Sequence, residues 1–235
     1  MRPGAGFKAG LGVLAACLLF GWAAAVAIPL RSTEQWYAAF TWGALWRTAG
    51  FAFLLWSDRG PDRAAPFDFG GMPHGRAAAH GALMLGLWSL LLHGAGGGPW
   101  TPAERSLGLL ACLTVGLFEE QLFRGVLLHG LRGRWGDVRA ALGTSLMFML
   151  YHTRPQSFAA WPHILLTGAV FAGLRLRGMS LGHLALIHAA ADALFFFHGR
   201  QGPSVQGPAY WLFLTGLFLY AVWALPPSDA PRHGR

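Results

Sequence analysis

Residues 107–130 read LGLLACLTVGLFEEQLFRGVLLHG, an apolar run that is long enough to form a membrane-spanning helix. It nevertheless carries Glu119, Glu120 and Arg124 in its second half. Each charge at the centre of a spanning helix costs roughly 2.5–3.5 kcal/mol on insertion scales. Such residues are retained when they pair, face a water-filled cavity or take part in chemistry. The stretch therefore predicts a membrane helix that carries a functional site.

The composition extends this interpretation to the whole chain. Of the 235 residues, 54% are hydrophobic and only 12% are charged, and the mean hydropathy is +0.41. A soluble domain of this length would carry about a quarter charged residues. Because the deficit runs along the entire sequence, we predict one integral membrane domain over residues 1–235. The predicted fold class is all-α, a polytopic bundle of about eight transmembrane helices.

The predicted spans are separated by stretches rich in Pro, Gly or charged residues. The sixth span is short, and Trp161-Pro162 could equally start a re-entrant helix. We place the spans near residues 9–30, 36–56, 78–97, 107–130, 139–158, 160–175, 180–198 and 208–226.

The basic residues between these spans indicate an orientation. Odd-numbered connecting segments hold 12 Lys and Arg, whereas even-numbered ones hold 4. Cytoplasmic loops carry the excess of such residues, so both termini are predicted to be cytoplasmic, in a multi-pass protein of the cell (inner) membrane. The formal net charge of +8 then reflects orientation in the lipid bilayer, and no nucleic-acid partner is expected. The amino-terminal apolar run resembles a signal peptide but is predicted to stay uncleaved, because it continues well past Cys17.

Glu120 and Arg124 are four residues apart, so they share a helix face and can form an ion pair. Glu119 points about 100° away from that pair and is left free to act as a base. Taken alone, the cluster is equally consistent with a buried ion pair that only locks helices together.

Two further spans place polar groups at similar depth. The fifth ends in Phe148-Met149-Leu150-Tyr151-His152, and the seventh contains His188-Ala189-Ala190-Ala191-Asp192. His188 and Asp192 are one turn apart on one face, and the intervening alanines allow another helix to approach closely. Three spans with such groups favour a catalytic site over isolated packing histidines.

This set of groups could hydrolyse a bond. Glu119 could take a proton from water while His152 orients that water, and His188 could donate a hydrogen bond to the oxyanion. Alternatively, Glu119, His152, His188 and Asp192 could hold a metal such as zinc that activates the water. The sequence does not choose between a cofactor-free site and a zinc site.

The three motifs, Glu119-Glu120-x-x-x-Arg124, Phe148-x-x-x-His152 and His188-x-x-x-Asp192, resemble in order and spacing those of the CPBP intramembrane proteases, the CAAX-protease and bacteriocin-processing family. Phe123-Arg124-Gly125, Gly168 and Gly173 also resemble the family pattern. The resemblance covers about residues 105–200, the predicted catalytic core. It implies an intramembrane endopeptidase of CAAX type, acting on a membrane-associated protein or peptide. By analogy Glu119 and His152 would activate water, His188 and Asp192 would stabilise the oxyanion, and Glu120 and Arg124 would support the site.

Asp192 departs from the family pattern, which usually has Asn there. An ionised aspartate would repel an oxyanion, so Asp192 must be protonated, hold His188 in one tautomer, or bind a metal.

Arg47 is the other charge inside a span, and it is expected to snorkel or to pair with a partner that the sequence does not identify. The remaining histidines in or near spans are expected to be packing or interfacial residues: His80, His93, His129, His163, His183 and His198.

Two other function classes stay open at this point. One is a non-catalytic membrane scaffold or immunity protein that keeps the fold without activity. The other is a proton-coupled transporter that uses the Glu and His residues as a relay, although the paired broken helices typical of such transporters are not evident.

Overall fold

The computed structural model describes residues 4–27, 33–58, 67–92, 100–152, 155–198 and 207–227. For residues 21–27, 33–40, 155–157 and 198 it describes the backbone alone. Several arginines that indicate the orientation lie outside these residues: Arg2, Arg31, Arg59, Arg63, Arg154, Arg200, Arg232 and Arg235. His93 also lies outside them.

The described residues form an all-helical protein. Its only extended pairing, within these ranges, is an isolated bridge between Gly71 and Met179. The α-helices are α1 (Ala5–Ala27), α2 (Thr33–Ser57), α3 (His74–Leu91), α4 (Pro102–Glu120), α5 (Leu128–Trp135), α6 (Asp137–Tyr151), α7 (Trp161–Leu176), α8 (Leu181–His198) and α9 (Pro208–Ala224). A π-helical segment, Gln121–Leu127, joins α4 to α5, and a 3-10 helix, Pro155–Ala160, precedes α7.

Each predicted span overlaps one continuous helix, with two corrections to the boundaries. The fourth runs over Pro102–Trp135, 34 residues, rather than 107–130. Its start is a capping box in which Thr101 and Glu104 satisfy each other's backbone N–H groups. The fifth ends at Tyr151 rather than near residue 158, because the chain turns at His152 and continues as the 3-10 helix that begins at Pro155.

Two helices in the described part of the chain are long and apolar enough to cross a membrane, Pro102–Trp135 and Phe158–Leu176. Three more apolar stretches are shorter: Ala5–Phe20, Leu181–Phe197 and Pro208–Ala224. The sixth predicted span corresponds to α7, which begins at Trp161. Pro162 lies in its first turn, where proline is well tolerated. The number of spans and their orientation stay predictions.

The packing places α4 between α2 and α8, while α7 lies between α6 and α9. α3 closes the bundle against α8 and α9, and α1 lies against α2, α6 and the π-helical segment. The largest apolar core lies between α3, α7, α8 and α9, around Met84, Phe171, Phe213 and Leu217.

Polarity is distributed in the way expected of a protein that faces lipid. The outer side of α9 presents Trp211, Leu212, Phe218 and Leu219, each more than half exposed. Charged groups meanwhile lie inside, since Glu119, Glu120 and Arg124 are at most 2% exposed. Contiguous apolar surface of this kind marks contact with lipid or with another protein.

Candidate active site

The site is built where α4 and α8 touch through their backbones. A Cβ atom on Gly116 would overlap the carbonyl oxygen of Ala185 and lie 3.1 Å from the nitrogen of Ala189. Only glycine permits this approach, and the small residue at 189 helps on the facing side. One turn after Gly116, the carboxylates of Glu119 and Glu120 therefore meet the side chain of His188.

The predicted Glu120–Arg124 pair is confirmed. Arg124 Nη1 donates to Glu120 Oε1 at 3.0 Å, and Nη2 donates to the carbonyl oxygen of Gly168 at 3.4 Å. The guanidinium also lies over the rings of Phe148 and Phe171, at 4.4 and 5.4 Å from their centroids. Arg124 belongs to the π-helical segment, an element that is often found at functional sites and that sequence periodicity did not predict.

His188 lies at the centre of three carboxylates. Its Nδ1 is 2.7 Å from Glu120 Oε1, the same oxygen that Arg124 contacts. Its Nε2 is 3.7 Å from Glu119 Oε2 and 3.8 Å from Asp192 Oδ2. Because an ionised Glu120 can only accept, Nδ1 carries a proton, and Glu120 fixes the ring orientation. The bond between Glu120 and His188 joins positions 68 residues apart and was not predicted.

Glu119 lies outside the ion pair that engages Glu120, since Arg124 and His188 both bond to Oε1 of Glu120. The Oε2 atoms of both carboxylates are buried without a hydrogen-bond partner among the described residues. A buried carboxylate oxygen without a donor is costly unless water or a substrate satisfies it. The prediction that Glu119 is left outside the Glu120–Arg124 pair is therefore confirmed.

His152 ends α6, so it lies at a helix terminus rather than within a span. Its Nδ1–H donates to the carbonyl oxygen of Phe148 at 2.9 Å, and its own carbonyl oxygen accepts from Trp161 Nε1 at 3.0 Å. This tautomer leaves Nε2 as an acceptor. The ring of Phe148 lies beside the rings of both His152 and His188, with centroids 4.8 and 5.9 Å away, so the three predicted motifs converge.

Asp192 is about one-third exposed and stands one turn after His188, on the same face as predicted. It therefore borders the space between His188 Nε2 and Glu119.

Arg47, which the sequence left without a partner, also faces this site. It comes from α2 and lies within interaction range of Tyr151, Glu119 and Asp192. Its position depends on how α2 packs against α4, which no local pattern in the sequence encodes.

The other histidines expected to serve in packing are satisfied elsewhere or lie among aromatic rings. His80 Nδ1 is 2.7 Å from the hydroxyl oxygen of Tyr220, and His183 contacts Ser180 and His74. His163 is buried beside Trp88.

The arrangement of the His, Asp and Glu side chains bears on the zinc alternative. Among the described residues, no three His, Cys, Asp or Glu side chains are grouped as metal ligands. Glu120 and Phe148 engage the Nδ1 atoms of His188 and His152, which leaves both Nε2 atoms free and is also how metal-ligating histidines are oriented. As placed, the described side chains are not grouped as zinc ligands, and the zinc alternative stays a prediction.

Comparison with known proteins agrees with this geometry. Residues 101–194 match the family model of type II CAAX prenyl endopeptidases, Rce1-like. The predicted family resemblance is confirmed over these residues. A protein of Escherichia coli described as "Uncharacterized 24.3 kDa protein" is 34% identical over 85 residues, which are 35% of this chain and 39% of that protein. No solved structure matches significantly. The matched segment runs from the capping box of α4 to just past Asp192, whereas α1, α2, α3 and α9 lie outside it.

Proposed function

We propose that this chain is an intramembrane endopeptidase that hydrolyses a peptide bond in a membrane-associated protein or peptide, of the CAAX, leader or carboxy-terminal tag type. The observation that carries the proposal is the cluster around His188, in which one buried imidazole faces a carboxylate that is paired with Arg124 on one side and a carboxylate outside that pair on the other. Unequal carboxylates flanking one imidazole are an arrangement that acid–base chemistry needs. The match to an endopeptidase family over the same residues supports it.

In the proposed reaction Glu119 is the general base. Its carboxylate takes one proton from a water molecule, and the oxygen of that water forms a bond to the carbonyl carbon of the scissile peptide. The electron pair of the carbonyl double bond moves onto its oxygen. His152 Nε2 accepts a hydrogen bond from the other O–H of the water and so fixes its direction of attack.

His188 then stabilises the oxyanion. With Nδ1–H directed at Glu120, it donates from Nε2–H only as an imidazolium, a form that the nearby carboxylates of Glu119 and Asp192 favour. This makes Asp192 a partner of the cationic His188 rather than a direct oxyanion ligand. In the last step the proton held by Glu119 passes to the amide nitrogen, the C–N bond breaks, and an amine and a carboxylic acid leave.

Glu120 and Arg124 do not touch the reacting atoms in this scheme. Glu120 holds the orientation of the His188 ring through Nδ1. Arg124 pairs with Glu120 and is itself held by the carbonyl oxygen of Gly168 and by the ring of Phe148. They are positioning residues.

The proposal is tested by comparing the termini of membrane proteins, by mass spectrometry, in cells that carry either the intact chain or Glu119→Gln. The variant keeps the volume and hydrogen-bonding reach of the side chain but removes the base. New termini that occur only with the intact chain are the expected result, and their sequences would identify the substrate. Identical termini, with both proteins present at equal levels in the membrane, would favour a scaffold instead.

A further inference from the structure

The carboxylates of the site outnumber the cations that the matched segment supplies. Oε1 of Glu120 is bonded to both Arg124 and His188 Nδ1. Glu119 and Asp192 then share one remaining nitrogen, His188 Nε2, at 3.7 and 3.8 Å. One N–H cannot neutralise two carboxylates, and in a buried site their repulsion is poorly screened.

Arg47 is the additional cation in range. α2 packs closely on α4, since a Cβ atom on Gly50 would lie 2.6 Å from the ring of Phe118, which immediately precedes Glu119. Trp46 contacts the same ring edge-on, with centroids 5.1 Å apart. This packing places one face of α2 beside the site.

The guanidinium of Arg47 is held in place mainly by apolar and backbone surroundings. It lies 4.7 Å over the ring of Trp46, and a Cβ atom on Gly43 would be only 2.8 Å from its Nη1. Its Nε is buried without a hydrogen-bond partner in the described structure. The charge lies within electrostatic range of Tyr151, Glu119 and Asp192, whereas a snorkelling arginine would reach away from the interior.

We propose that Arg47 is a positioning residue that offsets the negative charge of Asp192 next to the proposed base, Glu119. The role in catalysis rests on the proposed function, while the charge compensation itself does not. α2 lies outside the segment that matches the endopeptidase family, so the completed site includes a residue that the family match does not assign.

A double-mutant cycle tests this inference directly. Arg47→Gln, Asp192→Asn and the double variant are compared with the intact protein in lipid nanodiscs, by the thermal unfolding midpoint and by the rate of cleavage. Arg47→Gln is expected to lower the midpoint and to slow cleavage by about tenfold or more, as coupled charges of this kind do. Asp192→Asn removes the charge that Arg47 offsets, so Arg47→Gln should cost much less, in midpoint and in rate, in the Asp192→Asn background than in the intact protein.

Two variants serve as controls. Arg47→Lys keeps the charge and is expected to retain most of the midpoint and the rate. Arg175→Gln removes another partly buried arginine, which donates to the carbonyl oxygen of Met179 at 2.9 Å and is near Asp68 rather than Asp192. Its effect should simply add to that of Asp192→Asn.

An equal loss from Arg47→Gln in the intact protein and in the Asp192→Asn background would overturn the inference, because the effect of a merely structural arginine would not depend on the charge of Asp192. If Arg47→Gln fails to accumulate, its recovery by Asp192→Asn supports the inference and continued absence contradicts it. If the intact chain cleaves nothing, the proposed function fails, and the unfolding midpoints still decide the charge compensation.

Discussion

His188 and His163 are both buried histidines on apolar helices, yet their surroundings differ. His188 on α8 is 8% exposed and has carboxylates facing both ring nitrogens. His163 on α7 is 4% exposed, lies among the rings of Trp88 and Phe213, and leaves Nδ1 without a partner in the described structure. Burial alone therefore does not distinguish the two histidines, whereas the carboxylates from a neighbouring helix do.

The largest expected difference is in the activity of matched variants of these two histidines. His188→Phe removes the proposed oxyanion donor and should reduce the cleavage rate by roughly 10²–10³ or more. His163→Phe places a ring of similar shape among aromatic neighbours and should leave the rate within a few-fold of the intact protein. Rates are measured on the cleavage site found from the new termini. Equal loss in both variants would remove the distinction between the two regions.

The buried ion pair is the next comparison. Arg124→Met leaves Glu120 without its cation in a fully buried position, so we expect a loss of about 3–5 kcal/mol in the free energy of unfolding. Arg132→Met breaks the exposed pair with Asp137, whose side chains are 45% and 42% exposed, and should cost about 0–1 kcal/mol. Denaturant unfolding in mixed micelles measures both. A small loss in Arg124→Met would show that Glu120 does not depend on this cation.

The helix contact that assembles the site gives a smaller effect on stability. Gly116→Ala inserts a methyl group against the backbone of α8 and should destabilise by about 1–3 kcal/mol, with slower cleavage as Glu119 moves from His188. Gly86→Ala, on α3, meets no atom within 4 Å and should be neutral or slightly stabilising, as alanine is the better helix former. The same unfolding measurement serves both variants. Equal stability of the two would show that α4 and α8 are less closely packed than described.

The smallest effect is expected at the start of α8. His183 contacts Ser180 and His74 at 2.7 and 2.8 Å, and no carboxylate bonds to it among the contacts of the described residues. His183→Ala should therefore change the cleavage rate by less than about threefold, which is under 1 kcal/mol of barrier. A loss comparable to that of His188→Phe would mean that α8 carries a second reactive histidine.

The side-chain pairs within single helices, and the all-α fold, could be predicted from the sequence. The i,i+4 relations of Glu120 with Arg124 and of His188 with Asp192 follow from helix geometry, and both are present in the structure. The all-α fold and the helix order follow from apolar runs long enough to be recognised without tertiary information.

Features that depend on contacts between distant segments were not predictable in the same way. The bond from Glu120 to His188 and the position of Arg47 require the packing of α8 and α2 on α4. The π-helical segment changes the hydrogen-bond register of a helix without a clear sequence signal. By contrast, Pro155 is a sequence signal that could have predicted the end of α6 at Tyr151, since a helix seldom continues into the residue before a proline.

The central claim is that Glu119 activates the water that cleaves the peptide, and its most direct test is an isotope measurement. The purified chain in lipid nanodiscs is given a peptide that spans the identified cleavage site, in water enriched in ¹⁸O. Mass spectrometry then measures the mass of the product that carries the new carboxyl terminus. The account predicts one ¹⁸O atom in the terminus formed by the intact protein, and a rate lower by roughly 10²–10⁴ for Glu119→Gln. Cleavage by Glu119→Gln at the rate of the intact protein would contradict the account.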